Sequence, residues 1–381
     1  MAMKALIIAD GSARIAGFPG ETPAACVEVL GATLLARIVQ HLQRSGFAEI
    51  VVVSDIEPKQ VKRGVALDPV SDSKVGFVHS STAQLWRSSE RAFEDMESAG
   101  VRGVAVLRAD CYAEVDWQAV LAHHMHFRNR VTRIWCGQEP CACDIFMVSA
   151  ARRNEAATLM RNSLHEERTA GVRYRVSDAE YINELHDCRM VHTLAKDALY
   201  GLNRIEPVGT EVRPGIWIGQ DARIEKEARL VAPVYIGAHT RVRGGAVVTR
   251  DSILENHVSV DCGTVIEDSL VQPYTALGAG LDIAHSVVTG QRLFHLKRNA
   301  EFATADPKLL RERKQSAVVR TAQAAAALLS YIPAQFMRST EHPAVAVAEC
   351  TPQRTVELEP QPENVAKLAP GLAVVRRYGN E

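Results

Sequence analysis

Four groups of residues carry enough chemistry to read first. Asp10-Gly11-Ser12-Ala13-Arg14 follows a short apolar run, Lys4 to Ala9, and combines a glycine, a hydroxyl and a guanidinium on a polar loop. At the end of a buried strand, such a loop is where open α/β sheets bind ligands. Asp110 closes a second apolar run, Gly103 to Leu107, and offers a carboxylate for a metal ion or a turn aspartate. Cys136, Cys141 and Cys143 have a spacing that invites zinc, but only three ligands are close and an apolar strand follows, so they read as thiols. His239, His257 and His285 fall in a repetitive region, where a histidine is either catalytic or structural.

The elements that must hold these groups are legible from periodicity. Lys4 to Ala9 predicts a strand, Ala32 to Ser45 a helix with apolar residues at Leu34, Leu35, Ile38, Val39 and Leu42, and Phe47 to Ser54 a second strand. That order is a βαβ unit. A helix over Thr82 to Ser98, strands at Gly103 to Leu107, Val131 to Trp135 and Ile145 to Val148, and a helix around Ala150 to Asn162 continue it. Thr82 doubles as a candidate N-cap for its helix.

From Val212 the period changes to six. Val212, Ile218, Ile224, Leu230, Ile236, Val242, Val248, Leu254, Val260, Ile266 and Gln272 open successive hexads, and only the last is not aliphatic. The residue four further on is small or aliphatic throughout, from Ile216 to Ala276. A six-residue period predicts a parallel β-helix with three hexads per coil. The pattern breaks at Gly278-Ala279-Gly280, and a closing partial coil is expected near Ile283 to Val287.

Ile7-Ile8-Ala9-Asp10-Gly11-Ser12-Ala13-Arg14, Glu21-Thr22-Pro23-Ala24-Ala25, Val29-Leu30-Gly31, Ser81-Thr82-Ala83-Gln84-Leu85 and Arg108-Ala109-Asp110, set before a hexapeptide solenoid, resemble the sugar-1-phosphate nucleotidyltransferases. The resemblance spans roughly Lys4 to Phe302. It implies a Rossmann-like α/β domain of the nucleotide-diphospho-sugar transferase type, a left-handed parallel β-helix, and a C-terminal helix and tail. It further implies that nucleoside triphosphate or nucleotide-sugar and sugar 1-phosphate bind, with Mg2+ as cofactor. Carried over by position, Arg14 is the catalytic cation and Ala9, Gly11, Ser12, Ser81, Thr82 and Ala83 contact the nucleotide. Asp110 and Asp187 hold the metal. The chain departs from the pattern in three places: Ser12 and Ala13 fill the glycine-rich loop, Ala24 stands at the lysine position, and Asp187 lies three residues ahead of the second metal aspartate, at Met190. Charge restored at position 24 is expected to raise activity.

Composition bounds the rest. With 381 residues, 47% hydrophobic, the chain suffices for two or three domains. We divide it into a nucleotidyltransferase-like domain at 1–205, a β-helix at 206–302, a helix at 303–337 that begins at Asp306-Pro307, and a proline-containing, flexible tail at 338–381. A net charge of −1 excludes the broad positive field of a nucleic-acid binder. Eight cysteines without scaffold spacing fit the cytoplasm, and no apolar stretch reaches transmembrane length. A solenoid with an open end predicts a homo-oligomer. Three functions fit: nucleotidyl transfer, a catalytically degenerate regulatory or scaffold homologue that binds a sugar nucleotide, and a β-helix acyltransferase built on one of the three histidines.

Overall fold

The computed structural model describes residues 3–18, 22–64, 73–97, 103–136, 139–140, 145–149, 153–165, 172–175 and 180–312. Cys141, Cys143, the tail at 338–381 and most of the expected C-terminal helix therefore lie outside the described residues. No described helix is long and apolar enough to cross a membrane.

The opening strand, Met3–Ala9, lies between Phe47–Ser54 and Gly103–Arg108, parallel to both. Lys74–His79 extends the sheet beyond Phe47–Ser54. On the other side Phe146–Ser149 runs antiparallel between Gly103–Arg108 and Val131–Cys136, and Val172–Arg175 lies outermost. The opening strand is apolar almost throughout because both its faces are covered. Ala5, Ile7 and Ala9 pack with Leu35, Val39 and Leu42 of the helix Leu34–Arg44, whereas Leu6 and Ile8 pack with Phe93, Met96 and Met160 on the opposite face. From the opening strand the chain first adds strands on one side and then returns to the other. The switch point thus falls between the ends of Met3–Ala9 and Gly103–Arg108, where open α/β sheets bind ligands.

The hexads form three sheets of short parallel strands stacked coil upon coil, a parallel β-helix. Val234, Ile236, Val242, Val248, Leu254, Val260 and Ile266 fill its axis. The register differs from a strict six in two places. Val234 pairs with Ser252, eighteen residues on, but Ile253 pairs with Leu270, seventeen on. The axial column passes from Ile266 to Val271 and continues through Leu277, Ile283 and Val288. One residue is lost at the Asp268 corner, so Val271 takes the place predicted for Gln272, and a second at the His285 corner, where Leu270 pairs with Val287, again seventeen on. The stack also runs unbroken past Gly278-Ala279-Gly280, through strands Thr275–Leu277, Asp282–Ala284 and Ser286–Thr289. Val212, by contrast, is half exposed in an antiparallel strand, Thr210–Arg213, and lies outside the column.

Each coil turns one corner through a residue in the left-handed region: Asp221, His239, His257 and Tyr274 at one corner, Asp251, Asp268 and His285 at another. Asp and His are among the non-glycine residues that tolerate this conformation best.

The C-terminal end corrects the expected helix. The chain leaves the stack as an antiparallel hairpin, Arg292–His295 with Ala300–Ala303, and then returns as Leu310–Glu312 against Thr275–Leu277. Asp306 accepts from the Lys308 N–H as a helix cap would, yet residues 310–312 form a strand rather than the start of a helix. The reason is the free edge of Thr275–Leu277, whose backbone groups need partners, and the axial place that Leu310 fills.

The β-helix does not stand apart from the α/β half. Tyr235, Ile253, Leu270 and Val287 point outward from one of its three faces and belong to the same buried cluster as Leu35, Val39 and Val191. Across that face the helix Cys188–Leu199 and its C-cap Tyr200 meet the second corner column. Lys196 Nζ lies 3.1 Å from Asp251 Oδ2 and 3.2 Å from Asp268 Oδ1, the Tyr200 hydroxyl donates to Asp251 Oδ1 at 2.7 Å, and His192 Nε2 is 3.2 Å from the Asp251 carbonyl. A second joint is the turn at Leu30 and Gly31. Both N–H groups donate to the buried Glu255 carboxylate at 2.7 and 2.8 Å, while the buried Arg37 guanidinium donates to the Val29 and Leu30 carbonyls.

Candidate functional site

The candidate residues Ala9, Gly11, Ser12, Arg14, Ser81 to Ala83 and Asp110 all lie at the carboxyl edge of the main sheet, at or just beyond the ends of three of its parallel strands. Ala9 pairs with Ser54, so Asp10 and Asp55 are the first residues beyond two neighbouring strand ends. On the other side Ile8 pairs with Arg108, and Ala109 N donates to the Ile8 carbonyl at 3.0 Å, which sets Asp110 beside the loop. Ser81 follows Lys74–His79 at the outer edge. Residues 81–84 are exposed, and Ser81, which precedes the 3-10 turn Thr82–Gln84, makes no capping bond with its side chain. Thr82 lies inside that turn rather than at an N-cap, so the capping role is not the one it takes.

The loop itself is closed on its own groups. Gly11 N donates to Asp55 Oδ1, Ser12 N donates to Asp10 Oδ1 at 2.7 Å, and Ala13 N donates to the Asp10 carbonyl at 3.2 Å. The Ser12 hydroxyl also donates to Asp10 Oδ1, at 2.6 Å. Arg14 curls back, and its guanidinium donates to the Gly11 and Ala13 carbonyls. A Cβ at Gly11 would come within 2.9 Å of Asp55 Oδ1, so any side chain there would displace that carboxylate.

Behind the loop, Ala24 N donates to the Ala13 carbonyl at 2.9 Å, and Ala24 itself is only 1% exposed among core residues. The position that the resemblance assigns to a lysine therefore faces the core, not the loop. The neighbouring Cys26 thiol is pushed up to about 11 by burial, which outweighs the pull of Arg14, so it is no nucleophile at neutral pH.

Asp110 Oδ2 lies 3.2 Å from Arg108 Nη2. Asp187 caps the helix Cys188–Leu199, its Oδ1 accepting from Met190 N at 3.0 Å, and its backbone bridges to Ala16 near the loop. Among the described residues no group of three or more His, Cys, Asp or Glu side chains is arranged to hold a metal ion. The two carboxylates do not fit a preformed magnesium site, since one already faces a cation and the other closes a helix.

The histidines of the β-helix have other work. His239 stacks on His257 with ring centroids 4.8 Å apart, and His257 on Tyr274 at 4.6 Å, one ring per coil. His285 Nδ1 is held at 2.6 Å by Asp268, and its Nε2 lies 2.6 Å from Lys297 Nζ.

Asp55 was not among the candidate residues, and Asp10 had no role assigned within its loop. Their signal is positional: each is the aspartate that follows a buried β-branched strand, at Ala9-Asp10 and Ser54-Asp55. A cavity of about 430 Å3, lined by His41, Arg44, Tyr112, Glu114 and Arg204, also went unforeseen. It lies near Arg44 and Ser45, just before Phe47–Ser54 begins, and thus at the opposite edge of the sheet from the loop.

Comparison with known proteins gives partial matches. The chain is 32% identical over 133 residues to the bifunctional protein GlmU of Anaeromyxobacter dehalogenans strain 2CP-1, covering 32% of this chain and 27% of that one. It is 28% identical over 91 residues to the UTP–glucose-1-phosphate uridylyltransferase of Synechocystis sp., covering 24% of each. The chain thus spans about a quarter of the length of the curated relatives it matches. The crystal structure of HddC from Yersinia pseudotuberculosis aligns with a TM-score of 0.40 and 13% identity, over 51% of this chain and 99% of that one. No protein-family model matches the sequence.

Proposed function

We propose that this chain, a relative of the sugar-1-phosphate nucleotidyltransferases, is a nucleotide or nucleotide-sugar binding protein in which nucleotidyl transfer has been reduced to little or nothing. Its role is then regulatory or structural. In the reaction of the family, an oxygen of sugar 1-phosphate attacks the α-phosphorus of a nucleoside triphosphate and the α–β bond breaks to release pyrophosphate. Negative charge builds on the departing phosphates, and the protein's main contribution is to hold cations and N–H donors where it develops.

One observation carries the reading: the loop offers no cation to that charge. Arg14 is turned onto the Gly11 and Ala13 carbonyls, Ala24 is buried, and Arg108 faces Asp110. Loss of a single stabilising contact of this kind lowers the rate by about 10²–10³. The arrangement argues the same way about Mg2+, for which neither Asp110 nor Asp187 is a ready ligand. We assign what binding remains to Gly11, Ser12 and the exposed Ser81 to Ala83 segment.

The test is to incubate the full chain with each of the four ribonucleoside triphosphates, Mg2+ and a panel of sugar 1-phosphates, while following pyrophosphate. Release within about tenfold of the no-protein control is expected, whereas typical enzymatic turnover of about 10 per second would overturn the reading.

A further inference from the structure

We propose that Asp55 sets what the loop accepts: its carboxylate occupies the loop as a built-in stand-in for a phosphate oxygen and holds triphosphates off. The proposal rests on the reading of residues 10–14 as a nucleotide-facing loop, but not on whether the protein turns over.

Phosphate loops work because consecutive backbone N–H groups point at one anion. In this loop those groups already have anionic or carbonyl partners. Gly11 N donates to Asp55, which comes from the end of the neighbouring strand, and Ser12 N and Ala13 N donate to Asp10. A triphosphate brought to the same N–H groups meets two carboxylates. The counter-charge of Arg14 is nearby, but that guanidinium is turned onto the loop's own carbonyls.

The two aspartates differ in kind. Asp10 belongs to the loop, and its bonds to Ser12 shape the turn as aspartate commonly does. Asp55 arrives from 44 residues away, and its partner in the loop is the N–H of the residue that resembles the family's loop glycine. Glycine at 11 is therefore explained by the close approach of Asp55, because a Cβ there would meet Asp55 Oδ1 at 2.9 Å and Ile56 Cγ1 at 3.3 Å. The opening that lets a phosphate approach a glycine is here filled by a side chain of the protein. Removing that side chain frees the Gly11 N–H and deletes one negative charge within reach of an incoming phosphate.

The experiment is calorimetric titration of wild-type protein, Asp55→Ala and Asp55→Asn with ATP, UTP, GTP, CTP and inorganic pyrophosphate, each protein also being melted thermally. Asp221→Asn, on a corner of the β-helix, removes the same charge at a distance and is expected to bind as wild type does. Asp55→Ala is expected to bind at least one triphosphate, and pyrophosphate, about tenfold more tightly than wild type, from the loss of one solvent-screened like charge together with the freed Gly11 N–H. Asp55→Asn keeps an acceptor for Gly11 and should gain about threefold by losing the charge alone. An Asp55→Ala variant that melts cooperatively and binds all the probes no more tightly than wild type overturns the proposal, as does an equal gain in Asp221→Asn. Should Asp55→Ala fail to fold, the absence of any gain in Asp55→Asn overturns it instead. Rapid pyrophosphate release by wild type alongside tighter binding by Asp55→Ala would reject only the low-turnover reading, and silence in the turnover assay with no gain in affinity would reject only this one.

Discussion

Single residues decide more here than the sequence pattern suggests. Ala24 stands where a lysine was expected to restore charge, but its burial reverses the expectation. A lysine there must either bury an ammonium in the core or thread past Ala13. We expect Ala24→Lys to lower stability by several kcal/mol and to give no gain in pyrophosphate release, checked by chemical denaturation and the release assay. Glu255 supplies a second test. Burial, followed by repulsion from Glu28, raises its carboxyl to about 8, although the Leu30 and Gly31 N–H groups and Arg37 pull it down. An acid whose pKa is raised on folding binds more protons in the folded state, so its contribution to stability is largest below the ordinary value of 4.5 and declines as pH rises toward 8. Glu255→Gln removes this dependence. The difference in melting temperature between wild type and Glu255→Gln should therefore shift against wild type between pH 5 and pH 8, and a constant difference would contradict the assignment. The same scale shows what a sequence conceals. Arg14, Gly11 and Asp110 were each proposed from type and from position in the family's motifs, but whether an arginine faces a ligand or its own loop depends on hydrogen bonds that no spacing records.

Elements were easier to read than residues. The strands Met3–Ala9, Phe47–Ser54, Gly103–Arg108 and Val131–Cys136 and the helix Leu34–Arg44 fall within two residues of their predicted bounds, because buried parallel strands and amphipathic helices write a period into the chain. Lys74–His79, partly exposed and with a glycine inside, carries no such signal. Cys188–Leu199, not among the predicted helices, carries its signal in the spacing of Cys188, Val191, Leu194, Ala195 and Ala198, which are its buried face. In the solenoid the hexads identified the architecture, and the residues lost at the Asp268 and His285 corners escaped because a strict period has no place for them. The axial column nevertheless gives a sharp prediction. Ile236 is fully buried among Val234, Val242 and Leu254, so Ile236→Asp places a carboxylate in an apolar axis at a cost of several kcal/mol against a total of roughly 5–15. An Ile236→Asp protein that melts at the wild-type temperature would count against this axis.

At the scale of the whole molecule, the two ends of the β-helix are finished differently. The later end is closed by the hairpin of residues 292–303 on one face and by Leu310–Glu312 on a second. The first coil has Thr210–Arg213 on one face, and its axial residues Ile218, Ile224 and Leu230 remain only half buried, with Val212 and Val231 exposed nearby. An apolar solenoid end of this kind is usually covered by a cap or a second subunit. We expect the full chain to self-associate. Light scattering should report a dimer or larger, and Ile224→Lys, at the edge of the first coil, should shift it toward monomer; a clean wild-type monomer would rule this out.

The riveting of Lys196, His192 and Tyr200 to the Asp251 and Asp268 corners bears on how such a protein could be inherited. A solenoid placed after an α/β sheet looks like a cassette that recombination could exchange for another. In this chain the cassette's outward face supplies Tyr235, Ile253, Leu270 and Val287 to its neighbour's core, while its corners supply the counter-charges for a helix of that neighbour. A foreign solenoid of the right shape but with ordinary surface residues would leave Lys196 without its two carboxylates and an apolar wall open to water. Exchange of the solenoid alone would therefore cost the joint on both sides, its apolar face and its ion pairs.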